Sequence, residues 1–150
     1  MGAEKDNPVS HVAYGYAAEV VVLDGAGKLE RIVAAYDMGK VVNPKSAQGQ
    51  IEGGIVMGLG YALTEDYPLE GGYPKVNYGR LGLFRADQIP PMEIITVQSD
   101  DMAGELAYGI KGVGELATIP TAPAVAGAYY ALDGVLRNRL PMEDTPYRKK

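Results

Sequence analysis

Residues 43–66, NPKSAQGQIEGGIVMGLGYALTED, decide how the chain folds. Apolar residues recur at every fourth position of this stretch: Ile51, Ile55, Leu59 and Leu63. This spacing predicts a long helix with one apolar face. Asn43 followed by Pro44 predicts the start of the helix, because asparagine caps helix ends and proline is tolerated in the first turn.

Four glycines interrupt the helical pattern: Gly53, Gly54, Gly58 and Gly60. A glycine costs a helix about 1 kcal/mol relative to alanine, so four of them require a reason. One reason is close packing against a neighbouring helix or sheet. The other is the close approach of another backbone or of a bound ligand. The residues alone leave both open.

The segments before this helix predict a hairpin. Two β-rich runs, residues 12–23 and 29–38, flank the sequence DGAGK at 24–28. An Asp-Gly turn between such runs favours two antiparallel strands. DGAGK lacks the glycine spacing of a phosphate-binding loop, and no serine or threonine follows its lysine.

The segments after the helix add a strand and a second helix. Residues 67–91 are rich in glycine and proline and predict a long connection with little regular structure. Residues 92–100 predict a strand, and residues 121–134 a short helix with Thr121 as N-cap and Gly134 as its stop. Mixed strands and helices without a regular βαβ alternation favour the α+β class.

Composition narrows the class of protein. The 150 residues fit a single domain. A net charge of -5 and a pI near 4.9 argue against nucleic-acid binding. With no cysteine and one histidine, the chain can form no thiolate zinc site, no histidine-rich metal site and no iron–sulfur cluster of its own. No signal peptide or membrane span is predicted, so we expect a soluble, cytoplasmic protein.

A single glutamate stands out in residues 108–124, YGIKGVGELATIPTAPA. Three glycines precede Glu115, and Lys111 is close enough in sequence to influence its charge. The carboxylate could be solvated, or could satisfy amides at a helix end. The alternative is a buried general base with a raised pKa, with the glycines letting the backbone press against a bulky cofactor.

Two long motifs resemble the molybdenum hydroxylases, the xanthine dehydrogenase and aldehyde oxidase family. The first is YDMGKVVNPKSAQGQIEGGIVMGLGYALTED, with an Asp-x-Gly, an Asn-Pro, a Gly-Gln and a glycine-rich helix in the family's order. The second is YGIKGVGELATIPTAPAVAGAYYALDG, with the family's Gly-x-Lys-Gly-Val-Gly-Glu run. The resemblance covers roughly residues 9–141.

The resemblance implies roles for two residues. Glu115 falls on the family's catalytic base, and Gln50 on the glutamine that hydrogen-bonds the molybdopterin cofactor; no metal ligand is implied. The reaction would be hydroxylation of an N-heterocycle, such as a xanthine-like purine, or of an aldehyde. Family members with purine substrates place two prolines after the glutamate, where this chain has Leu116 and Ala117. Substrate preference therefore cannot be carried over.

The resemblance also implies partners. Family chains that bind molybdenum are several times longer, so residues 1–150 are expected to be a C-terminal fragment of such a subunit, inactive in isolation. Iron–sulfur clusters and FAD are expected on other domains or subunits, and self-association is possible. The alternative is a non-catalytic scaffold with the same fold. A small nucleotide-binding domain is disfavoured, because neither dinucleotide nor phosphate-loop spacing is present.

Overall fold

The computed structural model describes residues 14–99 and 107–148, and its elements follow the predicted order. They are β1 (Tyr16–Leu23), β2 (Leu29–Asp37), α1 (Pro44–Leu63), β3 (Leu69–Glu70), β4 (Tyr73–Pro74), β5 (Met92–Val97) and α2 (Thr121–Asp133). The hairpin, the long helix, the third long strand and the short helix are each confirmed, and the class is α+β. Residues 12, 13 and 100 of the predicted strands lie outside the described residues.

The main sheet has three strands in the order β1-β2-β5. β1 and β2 are antiparallel, with Asp24 accepting hydrogen bonds from the backbone of Ala26 and Lys28 in the turn. β2 and β5 are parallel, with α1 in the connection between them. The fold thus contains one βαβ crossover, although the chain as a whole does not alternate. Parallel pairing brings the carboxyl ends of β2 and β5 together.

The core lies between one face of this sheet and the two helices. Most of its fully buried members come from β2, α1 and α2: Ile32, Ala34, Tyr36, Ile51, Ile55, Leu59, Ala62, Leu63 and Val125. Ala117 and Met142, outside these elements, are also fully buried. The apolar residues that predicted α1 are therefore its buried face. Within residues 14–99 and 107–148, no helix has both the length and the apolar character needed to cross a membrane.

The start of α1 and the end of α2 lie where the sequence predicted them. Asn43 caps α1, its side chain accepting a hydrogen bond from the Ser46 amide at 3.1 Å. Gly134 ends α2 with φ +73°, a conformation that glycine adopts readily. The assignment of Thr121 as N-cap is wrong. Thr121 is the first residue of α2, and its hydroxyl instead contacts Glu19 and the carbonyl of Ala117.

Two of the α1 glycines are explained by packing within the chain. A β-carbon at Gly54 would lie 2.6 Å from Cβ of Ala117, and one at Gly58 would lie 2.5 Å from Cβ of Thr121. Because these positions are four residues apart, they form one flat strip on α1. Residues 117–121 rest against this strip. At Gly53, by contrast, a β-carbon would meet nothing within 4 Å.

Gly53 and Gly54 therefore form a matched pair for substitution. We expect Gly54→Ala to lower the free energy of unfolding by about 1–3 kcal/mol, because overpacking outweighs the gain in helix propensity. We expect Gly53→Ala to raise it by up to about 1 kcal/mol, since only the propensity gain applies there. Urea unfolding of both variants measures the difference. Equal effects at the two positions would refute the packing role of Gly54.

Candidate functional site

Gln50 links the two motifs directly. It lies on an exposed part of α1, and its Nε2 donates a hydrogen bond of 2.6 Å to the carbonyl oxygen of Gly114. That carbonyl belongs to the peptide bond that joins Gly114 to Glu115. Two residues that are far apart in the sequence are thereby brought to one surface.

Glu115 stands at the start of a short 3-10 turn, Leu116–Thr118. Its carbonyl accepts hydrogen bonds from the amide and the hydroxyl of Thr118, at 2.9 and 2.7 Å. Its side chain is exposed and has no hydrogen-bond or ion-pair partner among the described residues. The burial expected of a general base is therefore not supplied by the described part of this chain. The carboxylate is instead open to whatever group lies against this surface.

Glycines surround Gln50 and Glu115 on both motifs. At Gly49, Gly112 and Gly114, a β-carbon would meet nothing within 4 Å. These positions differ from the packed α1 glycines, which the chain's own residues cover. The backbone around the two candidate residues is thus bare and accessible, and a ligand could approach it closely. Packing within the chain thus explains Gly54 and Gly58 but not these open glycines.

Lys111 is directed to Asp37, an orientation that its closeness to Glu115 in sequence left open. Its side chain is 1% exposed, and its Nζ donates to Oδ2 of Asp37 at 2.8 Å and to Oγ of Ser99 at 3.0 Å. The Ser99 hydroxyl donates to the same carboxylate oxygen, and the Gly39 amide donates to Oδ1 at 3.0 Å. Nζ of Lys111 also lies 5.4 Å from the centre of the Tyr16 ring.

This cluster keeps Asp37 ionised. Burial alone would raise the pKa of Asp37, but the hydrogen bonds from Lys111, Ser99 and the Gly39 amide oppose it and hold that pKa well below its ordinary value. The side chain of Asp37 is 6% exposed. The Asp-x-Gly of the first motif thus forms a buried ion pair with the lysine of the second.

Backbone hydrogen bonds fix the loop beside the ion pair. The Lys40 amide donates to the carbonyl oxygen of Gly109 at 2.7 Å, and the Lys111 amide donates to the carbonyl oxygen of Met38 at 3.1 Å. Gly39, with φ +63°, lies so close to the Gly109 carbonyl that a β-carbon would collide with it. The start of the glutamate-bearing loop is consequently anchored to the end of β2.

Sequence reasoning missed three polar residues near the site: Asp37, Ser99 and Glu19. Glu19 lies on β1, where Ala17 and Val21 also face the core. A glutamate at an inward position of an alternating strand is a signal that could have been read. Asp37 and Ser99 could be paired only once the parallel register of β2 and β5 was known.

No three His, Cys, Asp or Glu side chains gather as a metal site in the part of the chain that the structure describes. The chemistry of this surface is that of amide, carboxylate and bare backbone groups. These groups can exchange hydrogen bonds with a polar ligand.

Comparison with known proteins points to one family. Residues 1–90 match the model of the "Molybdopterin cofactor-binding domain". The chain is 36% identical over 138 residues to a probable xanthine dehydrogenase component of Bacillus subtilis, and the match covers 88% of the chain and 18% of that protein. It is 34% identical over 128 residues to an "Aldehyde oxidoreductase molybdenum-binding subunit PaoC" of Escherichia coli, covering 81% of the chain and 17% of that protein.

A solved structure shows the same fold. The aldehyde oxidoreductase from Desulfovibrio desulfuricans superposes with a TM-score of 0.66 and 29% identity, over 84% of this chain and 13% of that one. The chain spans less than a fifth of the length of these relatives.

Proposed function

Because the chain belongs to the molybdopterin cofactor-binding domain family of the xanthine dehydrogenases and aldehyde oxidoreductases, we propose that Gln50 and Glu115 form part of the molybdenum site of a hydroxylase. The observation that carries the proposal is the 2.6 Å hydrogen bond from Gln50 to the carbonyl that precedes Glu115. This contact supports a common site for the two residues, because the carbonyl belongs to the peptide bond that leads into Glu115.

The residues present fit a molybdopterin group. Nε2 of Gln50 donates to the Gly114 carbonyl, and Oε1 of Gln50 accepts no hydrogen bond from the described residues. That oxygen is free to accept from a donor on a ligand. The bare backbone at Gly49, Gly112 and Gly114 leaves room for a rigid ring system at close range.

The proposed reaction is hydroxylation of an electron-poor carbon in an N-heterocycle or an aldehyde. When bound, the molybdenum cofactor supplies the two-electron oxidation, with water as the source of oxygen and the electrons passing to redox groups on other domains or subunits. Glu115 accepts at its carboxylate the proton released as the carbon–oxygen bond forms. Gln50 orients the cofactor and holds the Gly114–Glu115 peptide.

Activity requires a larger assembly under this proposal. The chain alone leaves Glu115 exposed, whereas a base must be shielded for its proton affinity to be tuned. The outer face of the sheet also exposes apolar side chains: Val20 is 60% exposed, Ile95 43% and Val97 46%. We propose that the remainder of a longer molybdenum-binding subunit covers both regions, and that iron–sulfur and flavin groups lie on partner domains or subunits.

The test of the cofactor assignment is Gln50→Met in the assembled enzyme. We expect the affinity for molybdopterin to fall by about tenfold or more, because methionine keeps the length of the side chain but loses its hydrogen bonds. Molybdenum and pterin content after dialysis measures the loss. The control is Gln48→Met, since Gln48 is exposed on the same helix and its amide contacts only Glu52. Equal cofactor content in the two variants would contradict the role of Gln50.

A further inference from the structure

We infer that Glu19 is a positioning residue for Glu115, acting through Tyr36 and Thr121 on the carbonyl of Ala117. The inference rests on the proposed role of Glu115 as the base. Glu19 lies outside both motifs, on the core-facing side of β1. Its contacts reach the turn that begins directly after Glu115.

Two hydroxyl groups connect Glu19 to this turn. Oη of Tyr36 lies 3.4 Å from Oε2 of Glu19 and 3.3 Å from the carbonyl oxygen of Ala117. Oγ1 of Thr121 lies 3.0 Å from the same carboxylate oxygen and 3.2 Å from the same carbonyl. Each hydroxyl is thus shared between one side chain and one peptide group. The second carboxylate oxygen, Oε1, is buried without a partner among the described residues.

The protonation state of Glu19 determines how many hydroxyl protons are available to the Ala117 carbonyl. Tyr36 and Thr121 have one hydroxyl proton each, and each hydroxyl lies within reach of both the carboxyl and the carbonyl. If Glu19 is ionised, its charge attracts both protons, and the Ala117 carbonyl is left without a side-chain donor. If Glu19 is protonated, it donates to one of the hydroxyl oxygens, and both hydroxyls can donate to Ala117.

Burial and hydrogen bonding act in opposite directions on the pKa of Glu19. Burial raises the pKa of Glu19, and the hydrogen bonds from Thr121 and Tyr36 only partly oppose this. Tyr36 is the titratable group that reaches it from β2. Burial raises the pKa of Tyr36, and the charge of Glu19 raises it further whenever that carboxyl is ionised, so the phenol keeps its proton. The contacts from α2 and from the turn are the uncharged Thr121 and Ala117.

Holding Ala117 fixes the direction in which Glu115 projects. Ala117 lies at the centre of the Leu116–Thr118 turn, with its methyl group against Gly54 of α1. Within this turn the Thr118 amide donates a hydrogen bond to the carbonyl oxygen of Glu115. Gln50 holds the peptide before Glu115, and the Glu19 cluster holds the residue two positions after it. Both sides of the proposed base are therefore fixed by side chains from other elements.

The test is Glu19→Leu in the assembled enzyme, with hydrogen exchange of the peptide that spans residues 113–119 as the first readout. We expect exchange in this peptide to rise by about tenfold, as the loss of one buried hydrogen bond predicts. We also expect kcat to fall by about tenfold with KM and molybdenum content unchanged, because the base remains but is poorly aimed. Glu93→Leu, at an exposed position of β5, is the control.

Two further variants separate positioning from general destabilisation. Glu19→Gln restores a neutral group that can donate a proton, so exchange and kcat should return close to the wild-type values. The free energy of unfolding of Glu19→Gln should also lack the pH dependence that the Glu19 carboxyl contributes in the wild type. A carboxyl whose folded pKa is raised stabilises the fold fully below its unfolded pKa near 4.5, and that contribution declines as the pH rises through the folded pKa. Thr121→Val, nearly isosteric, should raise exchange as Glu19→Leu does.

The outcomes for the positioning role differ from those for the proposed base. Unchanged exchange at residues 113–119 in both Glu19→Leu and Thr121→Val would overturn the positioning role. Raised exchange with an unchanged kcat would also overturn the positioning role, because the turn would then be loosened without effect on the base; the role of Glu115 itself is decided by Glu115→Gln. Raised exchange with a lower kcat, rescued by Glu19→Gln, is the result we expect.

Discussion

Replacing Glu115 by glutamine in the assembled enzyme is expected to reduce kcat by about 10²- to 10⁴-fold, the usual contribution of a general base. Glutamine has nearly the shape of glutamate but cannot accept the proton. Since the side chain is exposed and unpaired among the described residues, the substitution should leave the free energy of unfolding unchanged. Turnover of a panel of purines, other N-heterocycles and aldehydes measures the effect.

The matched control for this experiment is Glu30→Gln, because Glu30 is also exposed and lies in β2, outside the proposed site. Molybdenum and pterin content should be equal in the wild type and both variants. Normal turnover by a fully loaded Glu115→Gln enzyme would rule out the proposed base. An inert, cofactor-free wild-type assembly would instead favour a non-catalytic scaffold.

The second large effect concerns stability rather than rate. Lys111→Met is expected to lower the free energy of unfolding by about 3–5 kcal/mol, because it leaves the carboxylate of Asp37 buried without its cation. The two side chains are only 1% and 6% exposed. Denaturant unfolding of the 150-residue chain measures the loss, which should move the midpoint without changing the slope.

An exposed ion pair of the same chain provides the control. Lys75 lies 3.0 Å from Glu70, with the two side chains 49% and 75% exposed, so Lys75→Met should change stability by no more than about 1 kcal/mol. Combining Lys111→Met with Asp37→Leu should recover much of the loss, since no unpaired charge remains buried. Equal, small effects at Lys111 and Lys75 would show that the buried pair has no special role.

Local patterns in the sequence predicted the main elements because each was carried by neighbouring residues. The apolar spacing of α1, the Asp-Gly turn of the hairpin and the stop at Gly134 depend on residues within one or two turns. The N-cap prediction failed at Thr121 for a tertiary reason. Its hydroxyl lies next to Glu19, a residue 102 positions away, and helix-end patterns contain no information about such a contact.

Only part of the candidate site could be predicted, because tertiary contacts determine the rest. Resemblance identified Gln50 and Glu115, and the structure brings them to one surface. The partner of Lys111 depended on the pairing of its loop with the end of β2, a long-range contact that local sequence patterns do not contain. The glycines of α1 divide into packed and open positions, and only tertiary contacts distinguish Gly54 from Gly53.

The most direct test of the central claim is a crystal structure of the assembled subunit with its molybdenum cofactor bound. We expect Gln50 to contact the pterin while its amide still donates to Gly114, and the carboxylate of Glu115 to face the metal from the same side. A cofactor bound away from both Gln50 and Glu115 would rule out the proposed site.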